Sequence, residues 1–186
     1  MDLLELLKER YSVRKYSDRP VEQEKLDKII EAAMVAPSAK NFQPVRIYVL
    51  KSEEAIARIR GITRCAYNAP VVMMVTVDKN IEWHNELEEG VTSGQQDAAI
   101  AATHMMLEAA SLGVGSVWVC WFPNTAVHEA FQLPENEKVV LLMPMGYAAD
   151  DSKPVAGVGE TLHPARSGWH SGDVQGRRRL WSRRES

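Results

Sequence analysis

Leucines at positions 3, 6 and 7 recur at the spacing of one helix face, with charged residues around them. The chain therefore opens as an amphipathic helix and not as a signal peptide. A second stripe, Leu26, Ile29, Ile30, Ala33 and Met34, follows Pro20 and the acids Glu22 and Glu24. Acids suit a helix start because they meet the positive end of the macrodipole. This helix is expected to stop near Ala36, because Pro37 pushes the residue before it out of the helical region. The period then changes. In Val45-Arg46-Ile47-Tyr48-Val49-Leu50, Val45, Ile47 and Val49 alternate with Arg46 and Tyr48, which predicts a strand with one more polar face. A short helix across Glu53 to Arg60 follows.

Val71 to Val77 is a continuous apolar run rich in β-branched residues, the pattern of a strand buried on both faces. From Ser93 to Leu112 the chain is rich in Ala and Met, and Ile100, Met105, Met106 and Leu107 fall on more than one side. Such a helix belongs inside a core or an oligomer interface, and Gly113 suits its C-terminal cap. Val114 to Trp121 reads as a further strand, Asn124 to Gln132 as a short helix, and Val139 to Met143 as a last strand running into Pro144-Met145-Gly146-Tyr147. Helices and strands are interspersed, so the class is α+β or α/β with helices covering a central sheet.

Composition narrows the picture. At 186 residues, 45% apolar and 25% charged, the chain has the size and balance of one soluble globular domain. A net charge of -3 supplies no global attraction to nucleic acid or anionic membrane, and no apolar run approaches the roughly 18 residues of a membrane span. Two cysteines, Cys65 and Cys120, lie far apart and in no metal spacing, so a reducing, cytoplasmic setting is the default. Beyond Gly157, Arg166, Arg177, Arg178, Arg179, Arg183 and Arg184 outnumber the acids and hydrophobic periodicity disappears. That segment reads as a poorly ordered basic tail, with an RNA- or partner-binding arm as the alternative.

Two polar clusters carry candidate chemistry. In Arg10-Tyr11-Ser12-Val13-Arg14 an extended backbone sends Arg10, Ser12 and Arg14 to one side. Guanidinium forks suit phosphate oxygens; the plainer reading is a pair of surface cations at a helix C-terminus. In Pro37-Ser38-Ala39-Lys40-Asn41-Phe42-Gln43-Pro44, the amides of Asn41 and Gln43 offer donors and acceptors for a planar ring with carbonyl and N–H edges. The plainer reading there is a polar turn. Together the clusters describe a site for a phosphorylated heterocycle. Gly94, Gly113 and Gly115 make no dinucleotide or phosphate-loop fingerprint, and the five histidines show no metal-ligand spacing. Neither cysteine has a neighbouring base, and no serine sits in a nucleophile elbow. No catalytic side chain and no metal site is therefore assigned.

Six segments in order resemble the FMN-dependent nitroreductase-like flavoproteins. They are Arg10-Tyr-Ser-Val-Arg14-Lys-Tyr16, Ala36-Pro-Ser-Ala-Lys-Asn-Phe-Gln-Pro44, Ala69-Pro70, Gln96-Asp97, Leu112-Gly-Val-Gly-Ser-Val-Trp118 and Leu142-Met-Pro-Met-Gly-Tyr147. The resemblance covers residues 1–155, read as one FMN-binding domain, with residues 156–186 as a divergent basic tail. It implies an α+β three-layer sandwich with a central, mainly antiparallel sheet flanked by helices. It further implies an intertwined homodimer with FMN at the subunit interface.

By the same resemblance Arg10, Tyr11, Ser12 and Arg14 bind FMN at its phosphate, ribityl chain and pyrimidine edge. Pro37, Ser38, Ala39 and Asn41 come from the other subunit. Pro144, Met145 and Gly146 line the ring, and Arg64 stands as a cation near it. Arg166 takes the place of the family's C-terminal phosphate ligand, in surroundings unlike the family's. The implied activity is ping-pong electron transfer from NADH or NADPH through FMN to a small electron-poor acceptor, a nitroaromatic or quinone. A non-catalytic FMN-storage protein and a reductive dehalogenase-type relative, with Asn80 to Thr92 as its lid, are the alternatives.

Overall fold

A computed structural model of the chain describes residues 2–154. In chain order the elements are α1 (Leu3–Glu9), α2 (Gln23–Met34), β1 (Val45–Leu50), α3 (Glu53–Ile62), β2 (Val71–Asp78), α4 (Gly94–Ser111), β3 (Gly115–Ser116), α5 (Asn124–Ala130) and β4 (Glu137–Gly146). Short 3-10 turns cover Ala39–Asn41 and Arg64–Ala66. The chain divides after Ser152 into two units, and the first carries every one of these elements. Residues 156–186 and Arg166, on which the tail and the last phosphate ligand were placed, lie outside the described residues.

Local chemistry accounts for the helix ends. Asp2 accepts from the backbone N–H of Glu5 while the Glu5 carboxylate accepts from the backbone N–H of Asp2, a reciprocal capping box. Ser52 caps α3 through the N–H of Ala55. α2 ends at Met34, two residues short of Ala36, and turns Leu26, Ile29 and Ala33 into the core.

The sheet has strand order β1-β2-β4-β3, antiparallel at every pair. Along β2, side chains alternate between two cores. Val71, Met73, Val75 and Val77 pack with α2 and α4, through residues such as Leu26, Ile29, Ala98 and Met105. Val72 and Met74 pack on the other face with Ile56, Ile59 and Val127 from α3 and α5. Helices on both faces of an antiparallel sheet make the α+β three-layer sandwich. β1 is the half-buried strand that its alternation predicts, and β2 is buried through Val77.

Two departures from the sequence reading have physical causes. The strand expected over residues 114–121 is regular only at Gly115–Ser116. The N–H of Val117 donates to the Pro144 carbonyl, but proline has no N–H to return, so the ladder thins until Val119 and Leu142 exchange bonds. In β4 the register steps from Val75↔Leu141 to Thr76↔Val139. Val140 is the extra residue of a bulge, which is why Leu141 faces one core and Val139 the other.

Among the described residues no helix is long and apolar enough to cross a membrane.

Candidate functional site

The first cluster begins where α1 stops. Arg10 is the C-terminal cap of α1, in extended conformation, and its N–H closes on the Leu6 carbonyl. The chain then runs beside β3: Ser12 bridges Ser116 in parallel, and the Val13 N–H donates to the Ser116 carbonyl at 3.0 Å. Gly115 and Ser116 in turn pair with Gly146 and Met145, and Met145 pairs with Val71. Four of the six sequence segments thus lie side by side at one end of the sheet. Val13 is buried and Arg14 exposed, as the alternation of an extended segment requires.

Both glycines are needed for this approach. A Cβ on Gly115 would sit 2.5 Å from Val13 Cγ2, and one on Gly146 would sit 2.7 Å from Pro70 Cδ. Pro144, Met145 and Gly146 are all buried here.

Tyr16 fastens the cluster. Its hydroxyl lies 2.7 Å from the Val13 carbonyl oxygen and 3.0 Å from that of Pro144, so one hydrogen is shared between two acceptors. Burial, and then Tyr67 nearby, hold the Tyr16 phenol well above its ordinary pKa, while Arg14 works the other way. Arg14 donates to the Ser12 carbonyl at 3.3 Å. The Tyr67 phenol is raised by burial and by its hydrogen bond with Cys65, against the pull of Arg14. Among the described residues no carboxylate forms an ion pair with Arg10, Arg14 or Arg64. Arg10 and Tyr11 line a cleft of about 230 Å³ with Gly115, Ser116 and Ala148. Arg64 stands beside this end of the sheet, its guanidinium 4.6 Å from the ring centroid of the exposed Trp121.

The second cluster is elsewhere. Asp78 donates its N–H to the Pro44 carbonyl and Val45 pairs with Val77, so the segment 37–44 sits at the far end of β2 from Val71. At about 3.3 Å per residue the two ends of that strand are about 20 Å apart. There Pro37, Ser38 and Gln43 line a cleft of about 410 Å³ together with Met34, Arg46 and Asp97. Within one chain the structure unites Arg10, Tyr11, Ser12 and Arg14 with Pro144, Met145 and Gly146. It does not bring Pro37, Ser38, Ala39 and Asn41 to them.

The chemistry of the first cluster fits FMN. Two guanidinium forks without carboxylate partners and the Ser12 hydroxyl suit a phosphate and a polyol, and the strand-end backbone suits a ring edge. Among the described residues no group of three His, Cys, Asp or Glu side chains is placed to hold a metal ion. Sequence reading passed over Tyr67, took Cys65 only as a thiol without a neighbouring base, and gave Pro70 only as part of the Ala69-Pro70 segment. The packing of Pro70 against Gly146 depends on a partner remote in the chain.

The nitroreductase family model matches residues 7–68 and 62–147. A protein of Methanothermobacter thermautotrophicus, provisionally named an NADH dehydrogenase/NAD(P)H nitroreductase, is 34% identical over 158 residues, covering 81% of this chain and 80% of its own length. The crystal structure of a nitroreductase family protein from Clostridium difficile 630 superposes with a TM-score of 0.82 at 36% identity, covering 88% of this chain and 94% of that one. An FMN-dependent nitroreductase from Clostridium difficile R20291 superposes at 0.68 with 30% identity, covering 84% and 93%.

Proposed function

The chain belongs to the nitroreductase family, and from that premise we propose that it passes electrons from NADH or NADPH, through FMN, to an electron-poor small molecule such as a nitroaromatic or a quinone, in ping-pong order. It is an NAD(P)H-dependent FMN oxidoreductase of nitroreductase type. The observation that carries the site assignment is the Val13–Ser116 and Gly115–Gly146 pairing, which lays Arg10 and Arg14, without ion pairs among the described residues, beside β3 at the end of β4.

Residues 1–155 form the FMN-binding domain. Arg10 and Arg14 hold the phosphate and the pyrimidine edge of the cofactor, with Ser12 and Tyr11 beside them. Pro144, Met145 and Gly146 line its ring, and Arg64 supplies a third cation. FMN, when bound, accepts a hydride and gives up electrons to the acceptor. A guanidinium fixed beside the ring would favour negative charge there, because a preorganised charge needs no reorganisation during the reaction. Pro144 and Met145 are buried, so they would present backbone to the ring.

The separation of the two clusters supports a homodimer. Pro37, Ser38, Ala39 and Asn41 reach the cofactor only from a second copy of the chain. Apolar surface for that contact is present: α1 has no buried residue, and Leu3, Leu4, Leu7 and Phe42 are exposed.

Anaerobic addition of NADH or NADPH to the FMN-loaded protein tests the proposal. The yellow flavin band is expected to bleach within a turnover time and to return on adding a quinone. A band that never bleaches leaves a flavin-storage protein instead.

A further inference from the structure

The loop that carries the second cluster is held in a conformation that side chains resist. Lys40, Asn41 and Gln43 have φ of 50°, 57° and 52°, in the left-handed region where a Cβ is crowded. Such a run persists only where its surroundings over-determine it. The Gln43 N–H donates to Ser38 Oγ at 2.9 Å and closes the loop on itself. The Ala39 N–H donates to Asp97 Oδ1 at 3.0 Å and fastens the loop to α4.

Asp97 is only 3% exposed, and its second oxygen accepts from the Ser93 hydroxyl at 2.7 Å. Both oxygens of a buried acid are thus in use, one on the residue that begins its own helix and one on the loop. Desolvation of that carboxylate is offset by two charge-assisted hydrogen bonds and by the α4 N-terminus. The adjacent α4 residues Ala98, Ala101 and Ala102 are apolar core. Among the described residues the Ala39 N–H is the bond that Asp97 makes outside its own helix.

We infer that Asp97 is a positioning residue for the FMN site: it fixes Ala39, and with it the Pro37–Asn41 loop, in the shape that closes over the flavin held by the partner subunit. This rests on the two-subunit site proposed above. Asp97 touches neither cofactor nor substrate in this account; it acts through the loop.

Full-length variants test it through the FMN dissociation constant and the thermal midpoint of the apoprotein. Asp97→Ala is expected to weaken FMN binding about tenfold or more, the scale of a lost charge-assisted hydrogen bond. Asp97→Asn keeps a carbonyl oxygen for the Ala39 N–H and an amide donor for the Ser93 hydroxyl, so it should stay within about threefold. If Asp97→Ala does not fold, Ala39→Pro takes its place. Ser38 is already extended at φ -134° and ψ 161°, as a residue before proline prefers, so this change deletes the N–H and spares the α4 core.

Mixed dimers of Asp97→Ala and Arg14→Ala subunits should regain one tight FMN per dimer, because one composite site then has two intact halves. The inference is overturned by wild-type affinity in Asp97→Ala or Ala39→Pro, by equal losses in Asp97→Ala and Asp97→Asn, or by mixed dimers no better than their parents. Wild-type affinity in Arg14→Ala alone would instead overturn the FMN-site reading beneath it.

Discussion

Tyr16 donates its hydroxyl hydrogen towards the Pro144 carbonyl oxygen at 3.0 Å, across 128 residues of chain. The same hydroxyl serves the Val13 carbonyl at 2.7 Å, so one phenol staples the cationic segment to the end of β4. Tyr16→Phe leaves both acceptors short and is expected to cost about 1–3 kcal/mol, read as a lower midpoint in urea. The pH dependence has a definite sign. Burial raises the folded phenol's pKa, so the native state keeps a proton that the unfolded chain releases near pH ~10. The contribution of Tyr16 is complete below that pH and is lost as pH rises towards the folded value. The stability gap between wild type and Tyr16→Phe should therefore narrow above about pH 10.

Glycine substitutions separate close approach from mere flexibility. Gly115→Ala and Gly146→Ala place a Cβ 2.5 Å from Val13 and 2.7 Å from Pro70, and each is expected to destabilise by about 1–3 kcal/mol and to release flavin. Gly61, exposed in α3, has nothing within 4 Å of its added Cβ. Gly61→Ala should stabilise by about 0.5 kcal/mol and leave the visible spectrum unchanged. Identical behaviour of the three variants in melting and flavin content would contradict this account.

Arg14→Ala is expected to purify colourless, or to lose flavin on dialysis, while its far-ultraviolet circular dichroism stays that of the wild type. Arg14 is exposed, so the fold does not depend on it. A variant that keeps its full complement of FMN removes Arg14 from the site.

The turn after β4 has its own pH signature. The Tyr147 hydroxyl donates to Glu22, Lys25 donates to the Tyr147 oxygen at 2.8 Å, and the Arg19 guanidinium lies 3.9 Å from the ring centroid. The Tyr147 hydrogen bond, then the Glu22 backbone N–H, then Arg19 draw the Glu22 carboxyl down to about 2. A depressed carboxyl contributes above its unfolded value and stops contributing as pH falls through the folded one. Tyr147→Phe should move the Glu22 titration, followed by carboxyl NMR, up towards the ordinary glutamate range, and bring its loss to a higher pH.

The helices and the strands β1, β2 and β4 were legible because their signals are local. Leu26, Ile29 and Ala33 mark a helix face, and Val71 to Val77 mark a two-sided core strand. The strand expected over 114–121 was overread, since its ladder is interrupted by Pro144, a residue of the neighbouring strand. The bulge at Val140 was invisible for the same reason: it exists only in the pairing with Thr76. At the candidate site, Arg10, Ser12 and Arg14 share one side by alternation, whereas Asp97 entered only as part of the Gln96-Asp97 segment, because its bond to Ala39 spans 58 residues of chain.

The helices, the strands β1, β2 and β4 and the residue types in each polar cluster follow from the sequence by itself, because backbone preference and side-chain period act over a few residues. Which segments meet was decided by the tertiary structure. Antiparallel pairing puts Gly146 beside Gly115 and Val71, and leaves Pro37 to Pro44 at the opposite end of β2. One cofactor-sized polar signature in the sequence becomes two clusters about 20 Å apart. The register of a strand depends on a partner far away in the chain, which no local pattern encodes.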